Sequence, residues 1–206
     1  MDAPVKLMPQ RAPFRILVTA VLSTRTQDPV TAAAAARLLR LAPDPRALAR
    51  MSPARIQQLI YPVGFYRTKA KLLPELARML VALSDRGRRG QSRNGSVPRT
   101  MAELLELPGV GRKVANIVLS QGFGLPAIAV DTHVQRISNR LDLVRTSRPF
   151  DTERALAEIL PRRRWNDWNR LLVALGQTIC RPLRPLCSVC PVSRLCPKRG
   201  VNAGKP

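Results

Sequence analysis

All four cysteines of this chain stand in one short stretch, as Cys180, Cys187, Cys190 and Cys196 in the frame C-x6-C-x2-C-x5-C. The segment QTICRPLRPLCSVCPVSRLCPKRG therefore has to fold around whatever joins its sulfurs. Two disulfides suit a small secreted domain. Here no export signal is evident, and 206 residues can bury a core without staples. A tetrathiolate zinc knot is the stronger rival. Zinc sites favour two C-x2-4-C pairs, whereas only Cys187 and Cys190 form one. The uneven spacing leans towards a [4Fe-4S] cluster, and spacing alone leaves zinc open.

Charge narrows the partner. Thirty-five Lys and Arg stand against 13 Asp and Glu, a formal net charge of +22. Such an excess attracts polyanions, of which nucleic acid is the commonest. An acidic membrane surface is the alternative, but no basic amphipathic anchor stands out. The segment Phe14–Leu22 (FRILVTAVL) is too short to span a bilayer and is interrupted by Arg15. It reads as a first core helix. A cytoplasmic, nucleoid-associated protein is expected.

Hydrophobic residues make up 45% of the chain and aromatics only 4%, so Leu, Val, Ile and Ala must build the core. No run alternates as a strand does, and the apolar residues recur at helical spacing. Asp28-Pro29 is expected to cap and open an Ala-rich helix through Arg40, and Ser52-Pro53 another. Residues 69–83 repeat apolar positions at 72, 73, 76, 79, 80 and 83. Residues 84–99, rich in Gly, Ser and Arg, read as a mobile basic loop. Thr100 and Glu103 form a capping box. Residues 125–130 (LPAIAV) form an extended apolar connection, and a further helix starts near Asp151. The helix ending QTIC carries Trp165 and Trp168 as packing residues and delivers Cys180. The fold class is all-α.

Leu107-Pro108-Gly109-Val110-Gly111 joins two short helices. Glycines there permit positive φ, and a following helix N-terminus offers N–H groups and a positive dipole end, so the turn suits a phosphate. This is a helix-hairpin-helix pattern, which grips a DNA backbone without reading bases. Lys113 sits in the first turn of the second helix, where the dipole and the neighbouring Arg112 both disfavour its charged form. A nucleophilic lysine needs that, although a phosphate-contacting lysine fits as well. Asp131 is open in the same way. It suffices as a helix N-cap, yet it is one of few carboxylates in a basic chain.

The stretch ELPGVGRKVANIVLSQGFGLPAIAVDTHVQRISNRL resembles the signature of the endonuclease III family, bifunctional DNA glycosylases. The cysteine frame is similar to that family's [4Fe-4S] loop in every gap. The resemblance runs from about Phe14 to Cys196. It implies a six-helix barrel domain over residues 14–126, with the helix-hairpin-helix at about 101–120. An iron–sulfur cluster domain of residues 1–13 plus 127–206 would pack on it, with the DNA cleft between and the cluster loop at 180–196. The implied substrate is double-stranded DNA holding an oxidised pyrimidine or an abasic site, bound by a monomer. Lys113 would be the nucleophile and Asp131 the catalytic carboxylate, with His133 positioning them. Attack at C1′, a Schiff base and β-elimination would cut the strand 3′ to the lesion. The implied DNA contacts are Leu107, Gly109, Gly111 and Arg112 in the hairpin and Arg25 and Phe65 as gap-filling side chains. The cluster loop would present Arg181, Arg184 and Arg194 to phosphates.

Two positions depart from the family pattern. Arg25 replaces a glutamine, and Phe65 an aliphatic wedge whose aromatic substitute can stack on exposed bases. The segment before Phe14 is shorter than usual. Mismatch-specific glycosylases share the hairpin and the cysteines but typically lack a lysine at position 113. A non-catalytic iron–sulfur DNA-binding protein would have no use for both Lys113 and Asp131.

Overall fold

The computed structural model describes residues 12–86 and 97–201. All regular structure among them is helical, and the chain divides after Gly124 into two compact units. Residues 1–11, assigned from sequence to the cluster domain, lie outside the described residues. Among those described, no helix is long and apolar enough to cross a membrane.

The first unit is built on α1 (Pro13–Ser23). Its buried residues, Phe14, Ile16, Leu17, Val18, Ala20, Val21 and Leu22, leave almost no polar face. A helix that is apolar nearly all round can only sit inside. Accordingly α1 packs against α2 (Asp28–Leu41), α5 (Tyr66–Arg86), α7 (Arg112–Ile117) and the π-helical turn Val118–Gly122 that continues α7. The completely buried Leu17, Val18 and Leu22 contribute about 1.5–3 kcal/mol each.

Around this hub, α3 (Pro45–Arg50) and α4 (Pro53–Ile60) pack along α5. Ser52 caps α4 through a bond to Arg55 N, as its Ser-Pro start implies. Helix α3 escapes sequence periodicity because it is six residues long; Asp44 caps it by accepting from Ala47 N at 2.8 Å. At α2 the expected cap shifts by one: Gln27 is the N-cap, and Asp28 is the first helical residue, where its charge still favours the dipole. Helix α5 starts at Tyr66 and reaches Arg86. The expected loop at 84–99 is thus helical at its start, while Val97 is buried at its end and 87–96 lie outside the described residues. Thr100 is the N-cap that opens α6 (Met101–Leu105): its Oγ1 accepts from Glu103 N, and it donates to the Glu103 carboxylate.

The second unit begins with the extended, buried stretch Ala127–Val130. There follow α8 (Thr132–Arg140), α9 (Pro149–Ile159), a 3-10 turn at Arg162–Arg164 and α10 (Trp165–Thr178). Ile128, Val130, Val134, Ile137, Val144, Leu156 and Leu172 form the core, with Trp165, Trp168 and Cys180 packed on it. Trp165 also donates its indole N–H to Leu160 O, as expected of an aromatic with a polar edge in a core.

Candidate active site and cysteine loop

The hairpin turn is shaped by one glycine and one leucine. Gly109 holds φ +74°, and a Cβ there would lie 2.6 Å from Leu72 Cδ1, so only glycine fits without moving its neighbour. Leu107 is buried, its N–H donates to Leu104 O and its carbonyl accepts from Val110 N. Its burial and these two bonds fix the turn. Gly111 is the N-cap of α7, is exposed, and has open space where a Cβ would be. Arg112 and Lys113 follow as the first two helical residues, both half-buried.

Lys113 Nζ lies 3.3 Å from Ser23 Oγ at the C-terminal end of α1. Beside it is a residue that the sequence reading passed over. Lys69 is only 7% exposed, and its Nζ donates to Leu22 O at 2.9 Å and Thr24 O at 2.7 Å. Burial, and then the like charge of Lys113, lowers its pKa to about 8. Its signal was its register: Lys69 stands four, seven and eleven residues before the buried Leu73, Leu76 and Leu80, on the apolar stripe of α5.

Arg25 and Phe65 meet on the same unit. Both hold left-handed φ, 53° and 56°, and the Arg25 guanidinium lies 5.5 Å from the Phe65 ring centroid. The two loops are joined by Gly64 N–H donating to Thr26 Oγ1, and a Cβ on Gly64 would sit 2.2 Å from Arg25 O. Phe65 is 60% exposed. Thr24, Arg25, Phe65, Thr68, Lys69 and Gly109 line one open hollow of about 300 Å³.

Asp131 belongs to the second unit and is the N-cap of α8. Its Oδ1 accepts from His133 N and Val134 N, both at 2.9 Å, which is the capping role the sequence allowed. Its Oδ2 lies 3.5 Å from Asn169 Nδ2, which also donates to Ala129 O. Asn169 was not foreseen, since it reaches Asp131 from α10. His133 lies against Gly176, where a Cβ would come within 2.3 Å of its Nδ1. Arg136 Nη2 lies 3.2 Å from the same Nδ1. Arg only donates, so in this contact Nδ1 is the acceptor.

All four cysteines are free thiols and line a single cavity with Ile137, Arg140, Leu175 and Leu186. Arg140, 8% exposed, fastens the loop: Nη1 donates to Cys180 Sγ at 3.4 Å and Arg181 O at 2.7 Å, and Nη2 to Pro182 O at 2.6 Å. Its carbonyl accepts from Arg199 N, and Cys196 Sγ lies 3.5 Å from it. Lys198 N donates to Cys196 Sγ at 3.4 Å. No group of three His, Cys, Asp or Glu side chains among the described residues closes on one ion position. Arg181, Arg184 and Arg194 are exposed, together with Leu183 and Leu195 at 93% and 85%.

The profile of HhH-GPD superfamily base excision DNA repair proteins matches residues 18–162. Endonuclease III of Thermotoga maritima is 45% identical over 184 residues, 89% of this chain and 82% of that protein. Endonuclease III homolog 2 of Arabidopsis thaliana, a chloroplastic protein, is 40% identical over 93% of this chain, which spans 50% of its length. Among solved structures, a trapped endonuclease III–DNA covalent intermediate in an estranged-adenine complex superposes with a TM-score of 0.84. It is 35% identical and covers 96% of this chain and 88% of its own. The chain belongs to the HhH-GPD superfamily of base excision DNA repair proteins and, within it, to the endonuclease III family.

Proposed function

We propose that this protein is a DNA glycosylase with AP lyase activity, acting on duplex DNA that holds oxidised pyrimidines or abasic sites, with Lys113 as its nucleophile. The observation that carries the reading is the place of Lys113. It stands in the first turn of α7, directly behind the hairpin, with its amine at Ser23 and a second lysine buried alongside. Both surroundings disfavour an ammonium and favour a reactive amine.

The damaged nucleotide must leave the stack before its C1′ can be reached. Arg25 and Phe65 supply the exposed guanidinium and ring to occupy the gap it leaves. The hairpin turn around Gly109 and Gly111 holds the backbone. The Lys113 lone pair then forms a bond to C1′, and the base departs with the glycosidic electron pair and takes up a proton. Ring opening gives a Schiff base. Loss of a C2′ proton then expels the 3′ phosphate, which is the β-elimination that cuts the strand. Asp131 Oδ1 is committed to the α8 cap, which leaves Oδ2 as the oxygen for the catalytic carboxylate's work, accepting a proton and stabilising positive charge developing on the sugar. His133 and Asn169 hold that carboxylate in position.

The cysteine loop fits a [4Fe-4S] cluster. Four free thiols share a cavity, and N–H groups of Arg140 and Lys198 point at two of the sulfurs, as thiolate ligands require. When bound, the cluster supplies cross-links that hold Arg181, Arg184 and Arg194 on one loop. A place on the nucleoid follows from this DNA-directed surface.

Borohydride trapping tests the reading. Wild-type protein mixed with abasic or thymine-glycol duplex and borohydride should yield a covalent adduct that Lys113→Ala abolishes. A wild type that is never trapped, or one that releases base only from a mismatch, sinks it. Asp131→Asn should slow turnover and leave lesion binding largely intact.

A further inference from the structure

Lys69 is a buried cation that the reaction above does not use. Its side chain runs from the apolar stripe of α5 to the end of α1, where its amine holds Leu22 O and Thr24 O. Lys113 approaches the residue between those two, Ser23, from α7. Two amines therefore converge on three consecutive residues. Lys113 is a charged neighbour of Lys69, and Arg25 lines the same hollow as Lys69.

Close amines repel each other as cations, and each lowers the proton affinity of its partner. Where the charge settles depends on what faces each amine. Lys69 points at two carbonyl oxygens at the negative end of α1, an arrangement that favours an ammonium. Lys113 stands at the positive end of α7, which disfavours one. With its pKa lowered to about 8, Lys69 still carries its proton at neutral pH.

We propose that Lys69 is a positioning residue for Lys113: it holds the charge of the lysine pair on the C-terminal end of α1, so that Lys113 meets the sugar as an uncharged amine. This rests on the reading of Lys113 as nucleophile. The arrangement also explains why a lysine occupies a core position. A purely structural cap for Leu22 O and Thr24 O would act the same way at every pH, whereas a charge holder would not.

The test is the pH dependence of single-turnover borohydride trapping on an abasic duplex, for wild type, Lys69→Met and Lys69→Arg. Removing the charge in Lys69→Met should move the rising limb to higher pH. Trapping then falls about tenfold or more at pH 7, a tenfold change for each pH unit the limb moves, and recovers at high pH. Lys69→Arg keeps a permanent charge, so its limb should lie at or below that of wild type. A loss in Lys69→Met that is equal at all pH values, or a limb that does not move, overturns the proposal. If Lys69→Met does not fold by circular dichroism, the other two proteins decide. A wild-type limb near the ordinary lysine value of about 10.4, or a Lys69→Arg limb above it, overturns the proposal. A wild type that is not trapped at any pH refutes the Lys113 reading itself.

Discussion

The Arg25 guanidinium lies 5.5 Å from the centre of the Phe65 ring, and both residues hold left-handed backbone conformations that side chains with a Cβ rarely adopt. Such conformations cost on the order of 1–2 kcal/mol each, and they persist where the surroundings fix them. Here the fixing is visible: Thr26 Oγ1 holds Gly64 N–H, and Gly64 leaves room for Arg25 O. Two loops therefore present a cation and a ring together, at the rim of a hollow that Lys69 and Gly109 also line.

Phe65→Ala should weaken binding to a duplex with a stable abasic-site analogue by about 1–3 kcal/mol, the usual worth of one base–aromatic stack. Because the ring is 60% exposed, the melting temperature should change little, as for a surface substitution of about 0.5 kcal/mol or less. Anisotropy titrations and thermal melts measure the two quantities. A large fall in stability with unchanged affinity would make Phe65 a loop-tip anchor instead.

The two hairpin glycines should separate stability from binding. Gly109→Ala puts a Cβ at φ +74° and against Leu72, so it should destabilise the fold by roughly 1–2 kcal/mol. Gly111→Ala meets nothing within 4 Å, and its φ of −95° is ordinary. Its folding cost should stay near 1 kcal/mol or below, since alanine is only a poorer N-cap than glycine. DNA affinity should nevertheless fall, because a methyl group stands between the α7 N-terminus and any phosphate. Urea melts and binding curves on both variants check this; equal affinity of Gly111→Ala and wild type would remove the hairpin from the interface.

The parts of the site that local pattern encodes were legible in the sequence. Thr100 with Glu103, the Gly109–Gly111 turn and Lys113 each depend on residues within a few positions of one another. Asp131 was legible as an N-cap for the same reason. Lys69, Arg140 and Asn169 were not, because their partners lie in other elements: Leu22 and Thr24 for Lys69, Cys180 and Pro182 for Arg140, Ala129 and Asp131 for Asn169. What the sequence did show was a polar residue on an apolar helical face. Arg140 follows Val134 and Ile137 on α8, as Lys69 precedes Leu73 and Leu76 on α5. A charged residue in such a register marks a long-range bond whose partner only the fold supplies.

Arg140→Met should loosen the cysteine loop. It removes donors to Cys180 Sγ, Arg181 O and Pro182 O while keeping a side chain of similar length. Hydrogen bonds from a charged group are worth about 1.5–3 kcal/mol each, so the loss should be large for a single substitution. The purified variant should hold less iron per chain than wild type and lose its visible absorption faster under oxidation or chelation. Iron content and bleaching rates equal to wild type would show that Arg140 serves only the packing of α8.

The depressed affinity of Lys69 for its proton also sets a stability profile. Its folded pKa, about 8, lies below the ordinary lysine value. Between those values the unfolded chain binds more protons than the folded one, so folding stability rises with pH across the window. The full cost of burying the ammonium is therefore present below about pH 8 and is relieved as the pH climbs towards about 10.4. At 1.36 kcal/mol for each pKa unit, the relief is at most ~3 kcal/mol. Lys69→Met has no proton to lose there and serves as the reference in which thiol and tyrosine titrations cancel. The stability of wild type minus that of Lys69→Met, from urea melts, should be flat below pH 7 and move in favour of wild type from pH 8 upward. A difference that stays flat to high pH would mean that Lys69 keeps an ordinary proton affinity and that neither burial nor Lys113 bears on its charge.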